Sequence, residues 1–345
     1  MNTLPLISVV MPCYNAAAFI EDSIRSVLQQ TYAQWELIII NDGSTDGTLQ
    51  RISAFSDNRI RLIQLNYNHG IAYCRNLGIQ EAKGKYICWL DADDIALPQR
   101  LAIQVQAFEL NTDLVLCAGA AHQLHDGTTS ASAHYEPASS AVLKARLFFA
   151  FPFTNSSIAL RASAVLSLQT FTQTYKQAED YILYCRLVQS GEFVLLNQPL
   201  VLYRIHQSDN RITSDTNNAD IVQGRMIAWR LLLAQLQLQT TDEVLLLHDK
   251  ITYYRNRITA SDTAHYSSYI QLLCSMQQRN AAANVFDRPT FDAEIAGRIY
   301  STLILAHVPV WAAFRQAYQH RNILGIATSM KLCLNKMRRW LLRMQ

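Results

Sequence analysis

The 345-residue chain is 50% hydrophobic and 17% charged, with a formal net charge of +3. This composition suits a folded protein with a large buried core and about two structural units. It excludes the broad basic excess of a general nucleic-acid binder, so no nucleic-acid partner is expected.

The first third alternates short β-branched apolar runs with segments of helical period, the pattern of a parallel sheet with crossover helices. The predicted strands are 7–11, 36–41, 60–65 and 86–90, with helices over 18–30, 46–55 and 71–82 between them. Pro98 suits the first turn of a helix over 98–110, followed by a fifth strand over 114–120. The Ser-, Thr- and Ala-rich stretch 126–140 reads as a loop, then come helix 141–149, strand 156–160 and helix 179–190. The first domain is expected to close near Arg211. The long helical stretches 221–238 and 242–260 then predict a helical region over 212–345.

Seven cysteines are scattered without a C-x-x-C pair, mostly inside apolar runs, which reads as reduced core thiols in a cytoplasmic protein. The N-terminal segment lacks the positive region of a signal peptide, so the mature chain is expected to begin near Met1. The longest membrane candidate, 303–314, is broken by His307 and Pro309 and falls short of the roughly 20 apolar residues a spanning helix needs.

In open α/β sheets, ligands bind beyond the carboxyl ends of the strands. Strand one ends in Pro12-Cys13-Tyr14-Asn15, strand two in Asn41-Asp42-Gly43-Ser44-Thr45-Asp46-Gly47, and strand four in Asp91-Ala92-Asp93-Asp94. Three carboxylates in four residues repel unless a cation or solvent compensates, and Mg²⁺ or Mn²⁺ typically joins one or two carboxylates to substrate phosphates. Against this stands a solvated acidic turn before Pro98, the ordinary reading of a lone D-x-D. The second cluster imitates a calcium loop, but its twelfth position is Ser53 rather than Glu and it follows a strand. A tight turn at Gly43, with Ser44 or Thr45 capping the next helix, fits better and leaves Asp42 to accept hydrogen bonds from a ligand.

These segments, with Arg75-Asn76-Leu77-Gly78 and Ala82-Lys83-Gly84-Lys85-Tyr86-Ile87 in order between them, resemble family 2 glycosyltransferases over about residues 5–211. The resemblance implies an α/β GT-A nucleotide-sugar-binding fold with a mainly parallel central sheet, ahead of the helical C-terminal region. It implies non-processive, inverting sugar transfer from a nucleotide-diphosphate donor, of which UDP-sugars are the commonest, in cell-surface polysaccharide or lipopolysaccharide assembly. Pro12, Tyr14 and Asp42 would line the nucleobase pocket, Asn15 and Ala92 would border the donor, and Arg75 would face the diphosphate or base. Asp91 would hold the ribose, and Asp93 would carry a divalent metal, Mn²⁺ or Mg²⁺.

Ala178-Glu179-Asp180-Tyr181 is similar to the family's E-D motif, which makes Asp180 the general base; otherwise it is an acidic first helical turn favoured by the helix dipole. Tyr203-Arg204-Ile205-His206-Gln207-Ser208 resembles the segment that ends the domain, with Arg204 toward phosphate and His206 completing the metal shell. The Q-x-x-R-W motif of processive synthases is missing; the nearest string is Lys336-Met337-Arg338-Arg339-Trp340. A nucleotidyltransferase would need a Gly-rich basic phosphate loop near the N-terminus. A silent sugar-nucleotide-binding subunit would be expected to lack the metal Asp or the base.

Residues 295–345 hold eight Lys or Arg and no Asp or Glu, leaving the preceding 294 residues at −5. Over 326–345, Met330, Cys333, Leu334, Met337, Trp340, Leu341 and Met344 share one helical face opposite Lys331, Lys336, Arg338, Arg339 and Arg343. Two readings stand: an interfacial helix on an anionic membrane, each basic residue worth about 1 kcal/mol there, or a helix docked on the protein's own core. A saccharide or lipid-linked saccharide acceptor is expected, the latter at the inner face of the cytoplasmic membrane.

Overall fold

The computed structural model describes residues 4–125, 128–130, 138–168, 178–205, 219–253 and 258–305. The chain divides into two compact units, Met1–Leu143 with Pro152–Gly224, and Lys144–Phe151 with Arg225–Gln345. The second unit thus takes a short segment from the middle of the sequence. His206 and the expected boundary at Arg211 lie outside the described residues, as does the basic stretch 326–345.

The first unit opens with β1 (Ile7–Cys13), α1 (Ile20–Leu28), β2 (Trp35–Asn41), α2 (Thr48–Ser53), β3 (Ile60–Gln64), α3 (Ile71–Glu81) and β4 (Tyr86–Trp89). It is the expected βαβαβαβ series, with β1 parallel to β2 and β4, and β2 parallel to β3. Side chains of a strand alternate between faces. Ile7, Val9 and Met11 of β1 share a core with Ile20, Ile24 and Val27 of α1, all at most 1% exposed. Burying each such side chain contributes about 1.5–3 kcal/mol. Val10 lies on the opposite face, under α3. A Cβ added to Gly78 would come within 2.2 Å of its Cγ1, so α3 approaches the sheet through a residue without a side chain.

The chain continues with β5 (Ile95–Ala96), α4 (Arg100–Leu110), β6 (Leu114–His125), β7 (Thr128–Ser130), α5 (Ser140–Arg146, whose residues from Lys144 on fall in the second unit), a 3₁₀ turn Asn155–Ser157, β8 (Ala159–Arg161), α6 (Ala162–Leu166), α7 (Glu179–Leu187) and β9 (Glu192–Ile205). Among the described residues nine strands form one sheet, ordered β3-β2-β1-β4-β8-β6-β9-β5, with β7 on β6. The long ladders are parallel, and the antiparallel ones, such as β4 with β8, are short.

Two sequence expectations are corrected here. Thr128–Ser130, read as loop, is a strand paired with Gln123–His125. Strand β9 went unplaced because Asn197-Gln198-Pro199 interrupts it, and proline cannot donate to a ladder. The pairing absorbs the interruption by a register shift, from Gly119 opposite Leu196 to Ala120 opposite Pro199.

The second unit is helical, as expected, with α8 (Ala219–Gln235) from Arg225 on, α9 (Asp242–Tyr253), a 3₁₀ segment Ala260–His265, α10 (Tyr266–Ala283) and α11 (Arg288–Leu305). Phe286 and Phe291 stack at 5.1 Å, with Phe148 edge-on to both. A buried Arg225–Asp249 pair bonds through two contacts of 2.7 and 3.1 Å. No helix among the described residues is long and apolar enough to cross a membrane.

Candidate active site

All the site residues that the structure describes belong to the first unit. Beyond β1 and β2 the chain makes two turns that lock together. The Asn15 side-chain oxygen accepts from Thr45 N–H (2.9 Å), while Asn15 N–H donates to the Ser44 hydroxyl (2.9 Å). Asn15 takes a left-handed φ of +50°, which Asn tolerates better than most residues. The start of α2 differs from expectation: neither Ser44 nor Thr45 caps it, its N-cap is Gly47 without a side-chain cap, and the Asp46 carboxylate just before accepts Thr48 N–H (2.9 Å) and Ala17 N–H (3.1 Å). These contacts leave Tyr14 49% exposed at the sheet's edge, above buried Pro12.

Asp42 is 3% exposed, and its two oxygens accept the N–H groups of His69 and Gly70, each at 2.8 Å. It therefore fixes the loop that follows β3. Each carboxylate oxygen keeps a further lone pair for a ligand donor. Gly43 makes the approach possible: its φ is +68°, and a Cβ there would lie 2.5 Å from the Tyr67 carbonyl carbon. The same loop carries a ladder absent from the sequence reading, with ring centroids 4.0 Å apart for Tyr67 and His69 and 4.5 Å for His69 and Tyr73. The spacing of those residues in the sequence gave no sign of the stack, which needs the turn at Gly70.

The acidic turn is held from below by α1. Ser23, fully buried, places its hydroxyl 2.8 Å from the Ala92 carbonyl and 2.7 Å from that of Asp94, and Ser26 accepts Ala96 N–H at 3.0 Å. The three carboxylates then separate in role. Asp94 is 1% exposed and accepts Arg204 N–H at 2.9 Å, tying the turn to β9. Burial first, then the charges of Asp93 and Asp91, push its carboxyl well above the usual range. Asp91 and Asp93 stay partly accessible. Arg204 donates from Nε to the Asp93 carbonyl (2.8 Å) and from Nη2 to Asp22 (3.1 Å), so its cation sits beside the turn, braced by protein oxygens.

Arg75, expected to face a ligand, is instead turned into the protein. It is 6% exposed, bonds Asp91 at 3.0 Å, is hydrogen-bonded to Glu179, and lies 3.8 Å from Asp180. Asn155 lies between the Tyr184 hydroxyl (2.7 Å) and Arg75 Nη1 (3.2 Å), and both contacts are satisfied with its amide oxygen toward the guanidinium. Glu179 is pushed up to about 7 by burial, against the pull of Arg75. Burial also raises Asp180, with Arg75 opposing. Just before them Ala178 adopts φ +60°, a left-handed conformation that is rare for Ala and turns the chain into α7. Sequence reasoning singled out Asp180 but missed Glu179, Asn155 and Tyr184 as parts of this cluster. Their contacts are long-range, and local pattern does not carry them.

The structure thus places Pro12, Tyr14, Asn15, Asp42, Asp91, Ala92, Asp93 and Arg204 at the strand ends and following turns of one sheet, and brings Arg75 from α3 and Asp180 from the first turn of α7 to the Asp91 turn. Among the described residues no group of three or more His, Cys, Asp or Glu is placed to hold a metal by itself.

Comparison with known proteins gives these strand ends a context. The model of glycosyl transferase family 2 matches residues 8–166. An uncharacterized glycosyltransferase of Haemophilus influenzae is 30% identical over 75% of this chain and 77% of its own length. The Escherichia coli UDP-Glc:alpha-D-GlcNAc-diphosphoundecaprenol beta-1,3-glucosyltransferase WfgD is 45% identical over 29% of this chain and 40% of its own length. Among solved structures, S. aureus TarS 1-349 in complex with UDP-GlcNAc aligns with a TM-score of 0.59 at 16% identity, covering 92% of this chain and 91% of that one. The likeness to TarS establishes the GT-A-like fold.

Proposed function

Because the chain belongs to glycosyl transferase family 2, we propose that it transfers one sugar from a UDP-sugar to an acceptor hydroxyl, with inversion, in the assembly of a cell-surface polysaccharide. The observation that carries this reading is the meeting of the acidic turn Asp91–Asp94 with the Glu179-Asp180 turn through Arg75. It supports a reading in which the donor diphosphate lies next to a carboxylate of raised proton affinity. WfgD, a glucosyltransferase that uses UDP-Glc, and TarS, solved with UDP-GlcNAc, favour UDP as the nucleotide.

In this reading the nucleobase lies between Tyr14 and the Asp42 turn, where Tyr14 offers an exposed ring face and Asp42 an acceptor for a base N–H. Asn15 and Pro12 border it, and Asp91 receives the ribose hydroxyls. Asp180 takes the acceptor proton. Its raised pKa lies nearer to neutral than that of an ordinary carboxylate, which suits a general base, and the 24% exposure of its side chain leaves it open to a substrate. The acceptor oxygen then attacks the anomeric carbon opposite the leaving diphosphate. Arg204 supplies positive charge beside the acidic turn as negative charge grows on the leaving group.

A divalent ion fits this site as one shared between protein and donor. The described residues form no closed cage, while Asp93 offers a partly accessible carboxylate, as Mg²⁺ or Mn²⁺ requires when it keeps phosphate and water ligands. Asp93, with His206 beyond the described residues, would hold it, and it would supply charge neutralisation at the diphosphate. A lipid-linked acceptor at the inner membrane face, approached through the basic stretch 326–345, completes the proposal.

The test is product stereochemistry. The protein is incubated with Mn²⁺, a panel of UDP-α-sugars and an N-acetylglucosamine-diphospho-lipid acceptor, and the anomeric coupling of any product is read by NMR. A β-linked product supports the reading, and an α-linked product contradicts inversion.

A further inference from the structure

Arg75 has no exposed surface to spare for a donor. Its side chain is 7% exposed, and its guanidinium faces Asp91 on the strand-four turn, Glu179 and Asp180 at the start of α7, and Asn155 in the 3₁₀ turn. Four chain segments therefore meet on one cation: α3, the acidic turn, the 3₁₀ turn and α7. Such a charge is stable in the interior only while its partners stay in place, because breaking a buried pair leaves an uncompensated ion. The same contacts restrain α7, whose first residues follow the left-handed Ala178.

We propose that Arg75 is a positioning residue for Asp180: it clamps the Glu179-Asp180 turn to the Asp91 turn, and so sets the place and charge state of the acceptor-deprotonating carboxylate rather than gripping the donor diphosphate. The inference rests on the reading of Asp180 as the proton acceptor. The charged and titratable groups facing Asp180 are Arg75 on α3, Asp91 on the acidic turn, and Glu179, Tyr184 and Cys185 on its own helix. Of these Arg75 alone is a cation. Its removal leaves Asp180 facing Asp91 with no opposing charge, so protonation of Asp180 is favoured and its turn is released.

The experiment compares wild type with R75K, R75Q and E179A in two readouts. One is UDP affinity by calorimetry with Mn²⁺; the other is UDP release from UDP-glucose and UDP-N-acetylglucosamine across pH. Clamping predicts UDP affinity within about threefold of wild type in every variant. It also predicts turnover lowered about 100-fold in R75Q, in line with the cost of roughly 1 Å of misplacement, and a smaller loss in R75K. The acidic limb of the R75Q profile moves to higher pH. E179A, which keeps Arg75 and removes one tether, also loses turnover at unchanged UDP affinity, so the test stands if R75Q does not fold.

A phosphate grip predicts the reverse, with UDP affinity lowered tenfold or more in R75K and turnover preserved in E179A; that result overturns the proposal. The binding readout decides between the two roles even where neither donor turns over. Wild type that binds no UDP removes the donor site and this role with it. Full turnover by D180N would refute instead the underlying assignment of the base.

Discussion

The two halves of the first unit are built differently. From β1 to β4 the candidates other than Arg75 stand at or just past the ends of their own strands, and those after β1 and β2 are held by neighbouring turns of the same βα series. From β6 to β9 the candidates depend on partners more than 100 positions away. Arg75 reaches Glu179 across 104 residues, and Arg204 reaches Asp94 across 110. In the proposed function the first half supplies the donor-binding edge, while the second brings Asp180 and Arg204 to it by tertiary contact. Donor binding and proton transfer should therefore separate under mutation.

The largest expected effect falls in the second half. Asp180→Asn should lower turnover by about 10²–10⁴, the range typical of a general base, while leaving UDP affinity within twofold; comparable losses of both would erase the distinction between the halves. Asp93→Ala tests the first half. The difference in UDP affinity between Mn²⁺ and EDTA should disappear, and an undiminished difference would remove Asp93 from the metal.

The pH profile sharpens the comparison. Asp180 acts as a base only when ionised, and its pKa is raised by burial, so activity should fall as pH drops through a limb above about 4, the ordinary value for Asp. A limb at or below that value, read from UDP release against pH, would mean that the cluster does not tune the base.

Smaller effects concern the frame. Gly78→Ala gains roughly 1 kcal/mol of helix propensity but drives a Cβ to 2.2 Å from Val10. Overpacking costs about 1–3 kcal/mol, so a net loss is expected in chemical denaturation, and a gain would show that α3 shifts freely on the sheet. Ser23→Ala should cost about 1 kcal/mol, the ordinary worth of a buried hydrogen bond, through the lost support of the acidic turn.

The same division decides what the sequence made legible. The strands through β4 and their turn clusters follow from apolar runs that stop at Pro12, Asp42 and Asp91, signals contained within about ten residues. β9 was hidden because Asn197-Gln198-Pro199 breaks its run, and only the register shift against β6 restores it. The contact of Asp46 with Thr48 N–H is not legible in the sequence because it depends on how the turn before α2 closes. Arg75 was assigned to the diphosphate or base through the resemblance, and nothing local shows that its neighbours are Glu179 and Asn155. Asp180 was recognisable only through the resemblance, since Glu-Asp at a helix start is otherwise an ordinary first turn.

The donor site of the first half is tested most directly by calorimetric titration of UDP, GDP and dTDP into the wild-type protein, each with Mn²⁺ and with EDTA. The account predicts saturable binding of UDP that is tighter with Mn²⁺ and weaker binding of the other two. Absence of binding by all three under both conditions would contradict it.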